Sequence, residues 1–249
     1  MVDLTSNLKL AVLIDADNAQ ASMCENLLKE IASYGTAHIK RIYGDWTQPN
    51  LKSWKEQLHK HAIQPIQQFS YTTGKNATDS SLIIDAMDLL HQNHLNGFCL
   101  VSSDSDFTRL ATRIRESGLV VFGFGEKKTP SAFISACDQF IYIENLIPQD
   151  SLQQGLEKSS KDQKAKLNQD MSLKTSLTAA INSLTKDSEW AYLGIVGAYI
   201  LKNDPAFDPR TYGYPRLGSL IKDLDYVEFD IRKGNQGAKV SSMYVKLVS

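Results

Sequence analysis

The residues of this chain best placed to do chemistry are its aspartates. Asp15 ends an apolar run, KLAVLID (9–15), and Asp17 follows two residues later. Asp104 and Asp106 follow a second apolar run, GFCLVSS (97–103). Asp79 opens a stretch, 77–92, whose apolar residues recur at helical spacing, and Asp85 lies further along it. Ligands of parallel α/β sheets bind beyond the carboxyl ends of the strands. Two strands would thus deliver carboxylates to one edge, with Asp79 able to point at it. Each acid also has an ordinary explanation. Asp15, Asp17 and Asn18 suit a turn or an N-cap. Asp79 suits the start of a helix dipole, and Asp104 suits the cap of a helix over 105–117. As a group they are harder to explain, because like charges raise one another's pKa. Only Arg109 is a basic neighbour in sequence. Three or four convergent carboxylates suit Mg²⁺ or Mn²⁺, hard cations with oxygen ligands. Such an ion polarises a phosphoryl oxygen and activates water.

Other residues bear on the same edge. Lys75, in TTGKNATDSS (72–81), could contact a scissile phosphate or be a solvated loop lysine. It is no P-loop, since the upstream glycine and the strand-to-helix placement are missing. Arg41, Tyr43, Trp46 and Lys52 follow a further strand and combine bases with aromatics, as single-strand binders do. Trp54 reads as core. Ser102, Ser103 and Ser105 have no base beside them and read as turn residues. His91 and His94 suit a helix C-terminus better than a metal. Three scattered cysteines, Cys24, Cys99 and Cys137, make neither a disulfide framework nor a zinc site.

The elements that must position these residues alternate. Strands are expected at 9–15, 38–44, 63–69, 97–103, 119–125 and 139–146. Helices are expected at 18–34, 48–61, 77–92, 105–117 and 130–136. That order implies an α/β fold with a mostly parallel sheet covered on both faces. Residues 149–170 are rich in Gln, Ser, Lys and Asp, with few large apolar residues, and predict a linker with no more than transient helix. Residues 171–249 resume globular patterning: helices at 172–185, 188–202 and 214–224, then strands 226–232 and 239–248. That is a winged-helix plan. The chain of 249 residues, 42% hydrophobic, is long enough for two domains, expected at 1–148 and 171–249.

Charge and hydropathy exclude some classes. The formal net charge is -1. Residues 1–148 hold 13 basic and 16 acidic side chains, a balance of -3, and residues 149–249 hold 14 and 12, a balance of +2. Neither part is a strongly basic nucleic-acid clamp. No apolar run approaches the roughly 20 residues of a membrane span. The N-terminus lacks the positive flank and cleavage site of a signal peptide. A cytoplasmic protein with no membrane partner is expected.

Four motifs carry a resemblance: VLIDADNAQ (12–20), ATDSSLIIDAMDLL (77–90), VSSDSDFTRLATRIRESG (101–118) and VVFGFG (120–125). Residues 9–146 resemble an NYN domain, a branch of the PIN-like nuclease superfamily. The resemblance implies a metal-dependent ribonuclease fold directed at single strands. It implies that Asp15, Asp79, Asp104 and Asp106 are the acidic site residues, with Asp15, Asp79 and Asp104 around Mg²⁺ or Mn²⁺. Asn18 would support them through a D-x-x-N pattern. Ser103 stands where the family commonly has Gly. Trp190, Leu193, Pro205, Phe207, Tyr212, Gly213 and Leu217 carry a second resemblance, of residues 188–229 to the LOTUS (OST-HTH) domain. It implies binding of RNA or of a protein partner. Arg210, Arg216, Arg232, Lys233 and Lys239 are the candidate phosphate contacts, with KGNQGAK (233–239) as the wing. Trp190, Leu193, Ile195, Val196, Tyr199 and Ile200 are expected to form one apolar helix face.

The first reading is therefore a metal-dependent endoribonuclease that hydrolyses RNA phosphodiesters, with a C-terminal module that holds RNA or a partner. The alternative is a non-catalytic RNA-binding regulatory adaptor. A third class, a phosphatase with an acidic metal site, lacks a convincing phosphate-binding lysine.

Overall fold

A computed structural model of the chain describes residues 7–69, 77–92, 94–147, 160–186, 188–233 and 241–248, with the side chains of 160–163 and 233 left aside. The chain divides into two compact units, Met1–Ile147 and Pro148–Ser249.

The first unit is built on a six-stranded sheet in the order β3-β2-β1-β4-β5-β6, parallel throughout. The strands are β1 (Leu8–Asp15), β2 (Gly35–Gly44), β3 (Gln64–Gln67), β4 (Gly97–Val101), β5 (Val120–Gly125) and β6 (Gln139–Tyr142). Helices α1 (Cys24–Tyr34), α2 (Trp54–His61), α3 (Ala77–His91), α4 (Thr108–Glu116) and α5 (Ser131–Ala136) alternate with them. The continuous apolar runs of β1 and β4 are explained by position. Both strands are central, and every residue from Leu10 to Ile14 and from Gly97 to Val101 is buried. Leu10, Val12, Ile14, Cys99, Phe122 and Phe124 share one core with Leu27, Ile31 and Trp54 of the covering helices. Trp54 is core, as its spacing predicts.

The strand order fixes where a ligand can sit. From β1 the chain runs outward to β2 and β3, then crosses back by α3 to β4 on the other side of β1. The sheet therefore changes direction between β1 and β4, and the crevice of a parallel sheet opens beyond such a point. Ile14 pairs with Val101, so the next residues along, Asp15 and Ser102, leave the sheet side by side. Gly125 at the end of β5 allows this. A Cβ built there would lie 2.6 Å from the carbonyl oxygen of Ser102 and 2.7 Å from Thr129 Oγ1.

The second unit holds α6 (Ser160–Gln169), α7 (Met171–Leu184), α8 (Leu193–Asn203), α9 (Leu217–Ile221) and a three-stranded antiparallel sheet in the order β7-β9-β8. Its strands are β7 (Ala191–Tyr192), β8 (Val227–Lys233) and β9 (Ser241–Leu247). Two expectations change. Part of the expected linker 149–170 is α6, whose Leu167 enters the core of this unit. Asn168 bonds the Asp223 carbonyl and the Asp225 backbone N–H, contacts that local composition does not reveal. The expected helix 188–202 starts late, because Ala191 pairs with Val245 as a strand. Trp190 thus stands outside α8, and Ile195 is 53% exposed, while Val196 and Ile200 are buried. The expected wing, 233–239, lies outside the described residues except for the backbone of Lys233.

Gly125→Ala should force the Ser102 backbone to move, because the obstacle is a carbonyl and not the end of a flexible side chain. Overpacking of this kind costs roughly 1–3 kcal/mol. Urea denaturation should show a lower midpoint for the first unit.

Candidate metal centre of the first unit

Asp15 is the last residue of β1 and is almost fully buried, at 1% exposure. Its carboxylate is held on several sides. Ser102 Oγ donates to Oδ2 at 2.9 Å, Asn18 Nδ2 donates to Oδ2 at 2.7 Å, and the Asp17 backbone N–H donates to Oδ1 at 3.0 Å. Burial pushes the Asp15 pKa up, against the lowering effect of these bonds. A carboxylate has about four acceptor sites, so the three bonds leave little of it unused.

Ser102 joins Asp15 to the next loop. Its Oγ also accepts from the Asp104 backbone N–H at 3.1 Å. Asp104 Oδ1 in turn accepts from the Asp106 backbone N–H at 2.9 Å, which starts the helical turn Ser105–Phe107. Asp104 thus caps this turn and also belongs to the acidic group, so the two explanations open in the sequence are compatible.

Asp79 lies in the first turn of α3. One carboxylate oxygen each from Asp79, Asp104 and Asp106 lie within 4.8 Å of one another. Asp79 and Asp104 are half-buried and Asp106 is exposed. Asp79 carries the electrostatic cost. Burial first, then the charges of Asp15, Asp104, Asp106 and Asp17, raises its pKa to about 6. Among the described residues no lysine or arginine forms an ion pair with Asp15, Asp79 or Asp104. Three carboxylate oxygens gathered this closely fit a hard divalent cation.

The grouping differs from the expected metal set of Asp15, Asp79 and Asp104. Asp79 and Asp104 stand together as expected. Asp106 joins them, and Asp15, outside that group of three, is close enough to raise the Asp79 pKa. Asn18 supports Asp15 directly. Sequence reading missed Ser102, set aside because no base accompanies it. The signal was its place, one residue past the Val101–Ile14 pair. Asp45, beyond β2, is an acid of another kind. Hydrogen bonds from Thr47 and Gln67 hold its carboxyl below the usual range.

The expected phosphate contacts are scattered. Arg41 pairs with Asp85, and Trp46 is tied by its indole to the Ile66 carbonyl at 3.0 Å. Lys52 is exposed. Lys75 lies outside the described residues. In the second unit Arg210 pairs with Asp208 at 2.7 Å. Arg232 pairs with Asp230 at 2.8 Å and lies over the rings of Tyr244 and Trp190, at 4.3 and 5.6 Å from their centroids. Arg216 is exposed at the start of α9. The Lys233 side chain and Lys239 lie outside the described residues.

The family model of the NYN domain matches residues 9–144, which is more than half of the chain. The chain belongs to the NYN domain family. The OST-HTH/LOTUS domain model matches residues 171–241, so the NYN domain is followed by a LOTUS domain. The two domains and the acidic cluster support a nuclease-type RNA function. No curated protein matches the chain. Among solved structures, a Vibrio parahaemolyticus protein of unknown function is 20% identical, with a TM-score of 0.46, over 57% of this chain and 96% of its own. An uncharacterized Nitrosomonas europaea protein is 32% identical, with a TM-score of 0.27, over 30% of this chain and 71% of its own. A Chromobacterium violaceum protein is 36% identical, with a TM-score of 0.25, over 30% of this chain and 78% of its own. No helix among the described residues is long and apolar enough to cross a membrane.

The raised Asp79 pKa gives a signed expectation. Its folded value, about 6, exceeds the ordinary 3.8. The metal-free NYN domain therefore gains stability from this group as pH falls from about 6 towards 4, and bears the full cost above 6. Asp79 is half-exposed, so solvent screening reduces that cost to about 1 kcal/mol. In EDTA at pH 7, Asp79→Asn should raise the melting temperature of the domain by ~2–4 °C. The gain should vanish near pH 4. A lower melting temperature at pH 7 would contradict the repulsion.

Proposed function

We propose that the NYN domain is a metal-dependent endoribonuclease that hydrolyses phosphodiesters of single-stranded RNA. The observation that carries this reading is the convergence of Asp79, Asp104 and Asp106 at the reversal point of the sheet. Those three residues would hold Mg²⁺ or Mn²⁺, which supplies Lewis-acid polarisation of a phosphoryl oxygen and a water of lowered pKa. The remaining work falls to the chain. Ser102, Asn18 and the Asp17 N–H fix Asp15, and Ser102 fixes the Asp104 loop to it. That arrangement holds the acids in place before substrate arrives, so little reorganisation is needed during the reaction. Asp79 must give up its proton for its carboxylate to serve as a ligand, so metal affinity should fall below pH 6.

The LOTUS domain is proposed to hold the same RNA or a protein partner. Arg216, exposed and outside any ion pair among the described residues, is its best-placed phosphate contact. Free, buried cysteines at Cys24, Cys99 and Cys137 suit the reducing conditions of a cytoplasmic protein.

A labelled single-stranded RNA should be cut by the wild-type chain with Mn²⁺ or Mg²⁺ and not with EDTA. Asp79→Asn and Asp104→Asn should each slow cleavage at least about a hundredfold, the effect of losing some 3 kcal/mol of transition-state stabilisation. Circular dichroism should be unchanged. Cleavage that survives both substitutions would overturn the mechanism. No cleavage by the wild type across several RNAs would favour the adaptor reading. Separately, Arg216→Ala should weaken RNA binding and lower its salt slope by about 1.

A further inference from the structure

Two side chains of β2 converge on one carboxylate outside the acidic cluster. Arg41 and Tyr43 are two residues apart, so they leave the strand on the same face. The Arg41 guanidinium pairs with Asp85 Oδ1, and the Tyr43 hydroxyl donates to Asp85 Oδ2. Both oxygens of Asp85 are therefore engaged. Tyr43 is fully buried. Burial, then the bond to Asp85, holds its phenol far above the ordinary range, so it remains a donor. Arg41 Nε meets no acceptor among the described residues, so the described hydrogen bond of the guanidinium is the one to Asp85.

Asp85 belongs to α3, the helix that carries Asp79. At about 100° per residue, six residues place the two side chains ~120° apart around the helix axis. Thr78, Leu82, Ala86 and Leu89, all buried, fall in the arc between them. The apolar stripe of α3 is thus flanked by one acid on each side. On one flank Asp79 is repelled by Asp15, Asp104 and Asp106. On the other flank Asp85 is tied to β2. Apolar contact is non-directional and resists a small roll of a helix weakly. The hydrogen-bonded pair is directional, and it opposes the roll that repulsion favours.

We propose that Arg41 and Tyr43 are positioning residues for the acidic site: by holding Asp85 they fix the rotation of α3, and so keep Asp79 beside Asp104 and Asp106. The role assigned to these residues rests on the metal-site reading given above. It also moves Arg41 from the phosphate contacts to the support of the site. Groups behind the ligands of a metal site commonly change its affinity 10–100-fold.

Two measurements on the full chain test this. The first is Mn²⁺ affinity, read by electron paramagnetic resonance well below the melting temperature. Tyr43→Phe keeps the ring in the core and removes only the hydroxyl. Asp85→Asn keeps the shape and removes the charge. Each should retain the wild-type circular dichroism spectrum and bind Mn²⁺ roughly tenfold more weakly. Wild-type affinity in both folded variants would overturn the proposal. The second measurement needs no metal. Urea midpoints are taken in EDTA for Tyr43→Phe, Asp79→Asn and the double variant. Groups far apart with no shared partner shift stability additively. The clamp predicts that Tyr43→Phe lowers the midpoint further in the Asp79→Asn background, where its release no longer relieves any repulsion. Additive midpoints overturn the clamp whatever the Mn²⁺ result. A wild type that binds no Mn²⁺ would refute the metal reading, and the urea cycle would still decide the clamp.

Discussion

The first unit is organised around the repulsion among carboxylates at the end of β1, after β4 and at the start of α3. Drawn from three parts of the sequence, the carboxylates of Asp15, Asp79, Asp104 and Asp106 repel one another when the chain is metal-free. The fold has to hold them together. It does so with a dense apolar core beneath β1 and β4, a serine that bonds both neighbouring loops, and a helix seated by its apolar stripe. Burial, and after it the charges of Asp15, Asp104 and Asp106, raises the Asp79 pKa. A divalent cation is the simplest group that turns this cost into binding energy, since each carboxylate then faces a positive charge.

Much of this arrangement was legible in the sequence. The runs 9–15 and 97–103 announce buried parallel strands, and acids just past both runs announce a crevice. Helical spacing over 77–92 placed Asp79 at a helix start. What the sequence withheld depends on pairing between distant strands. Nothing local says that β1 lies between β2 and β4. Without that order, Ser102 is one more turn serine, and Asp15 cannot be told from a freely accessible ligand. The structure shows Asp15 already bonded by Asn18 and Ser102, with Asp106 beside Asp79 and Asp104. The Arg41 pair with Asp85 is hidden for the same reason. A basic residue beside an aromatic on a strand suits a phosphate, and only the crossing of α3 over β2 shows Asp85 in reach.

The second unit repeats the lesson with weaker signals. The polar stretch 149–170 contains a helix because Leu167 enters the core of this unit and Asn168 finds partners more than fifty residues away. Trp190 was read as part of a helix face, whereas β7 pairs with β9 and leaves its ring half-buried beneath Arg232 and Lys246. Aromatic and basic side chains there already contact one another, and Glu189, Glu228 and Asp230 balance the positive charge. An RNA contact through Arg210 or Arg232 competes with their ion pairs, which favours exposed Arg216.

If the acids are gathered for a divalent cation, crystals of the chain soaked in Mn²⁺ and measured at the manganese edge will show it. An anomalous peak is expected at the carboxylate oxygens of Asp79, Asp104 and Asp106, absent from crystals of Asp104→Asn. No peak in that crevice at saturating Mn²⁺, or a peak held by other residues alone, would contradict it.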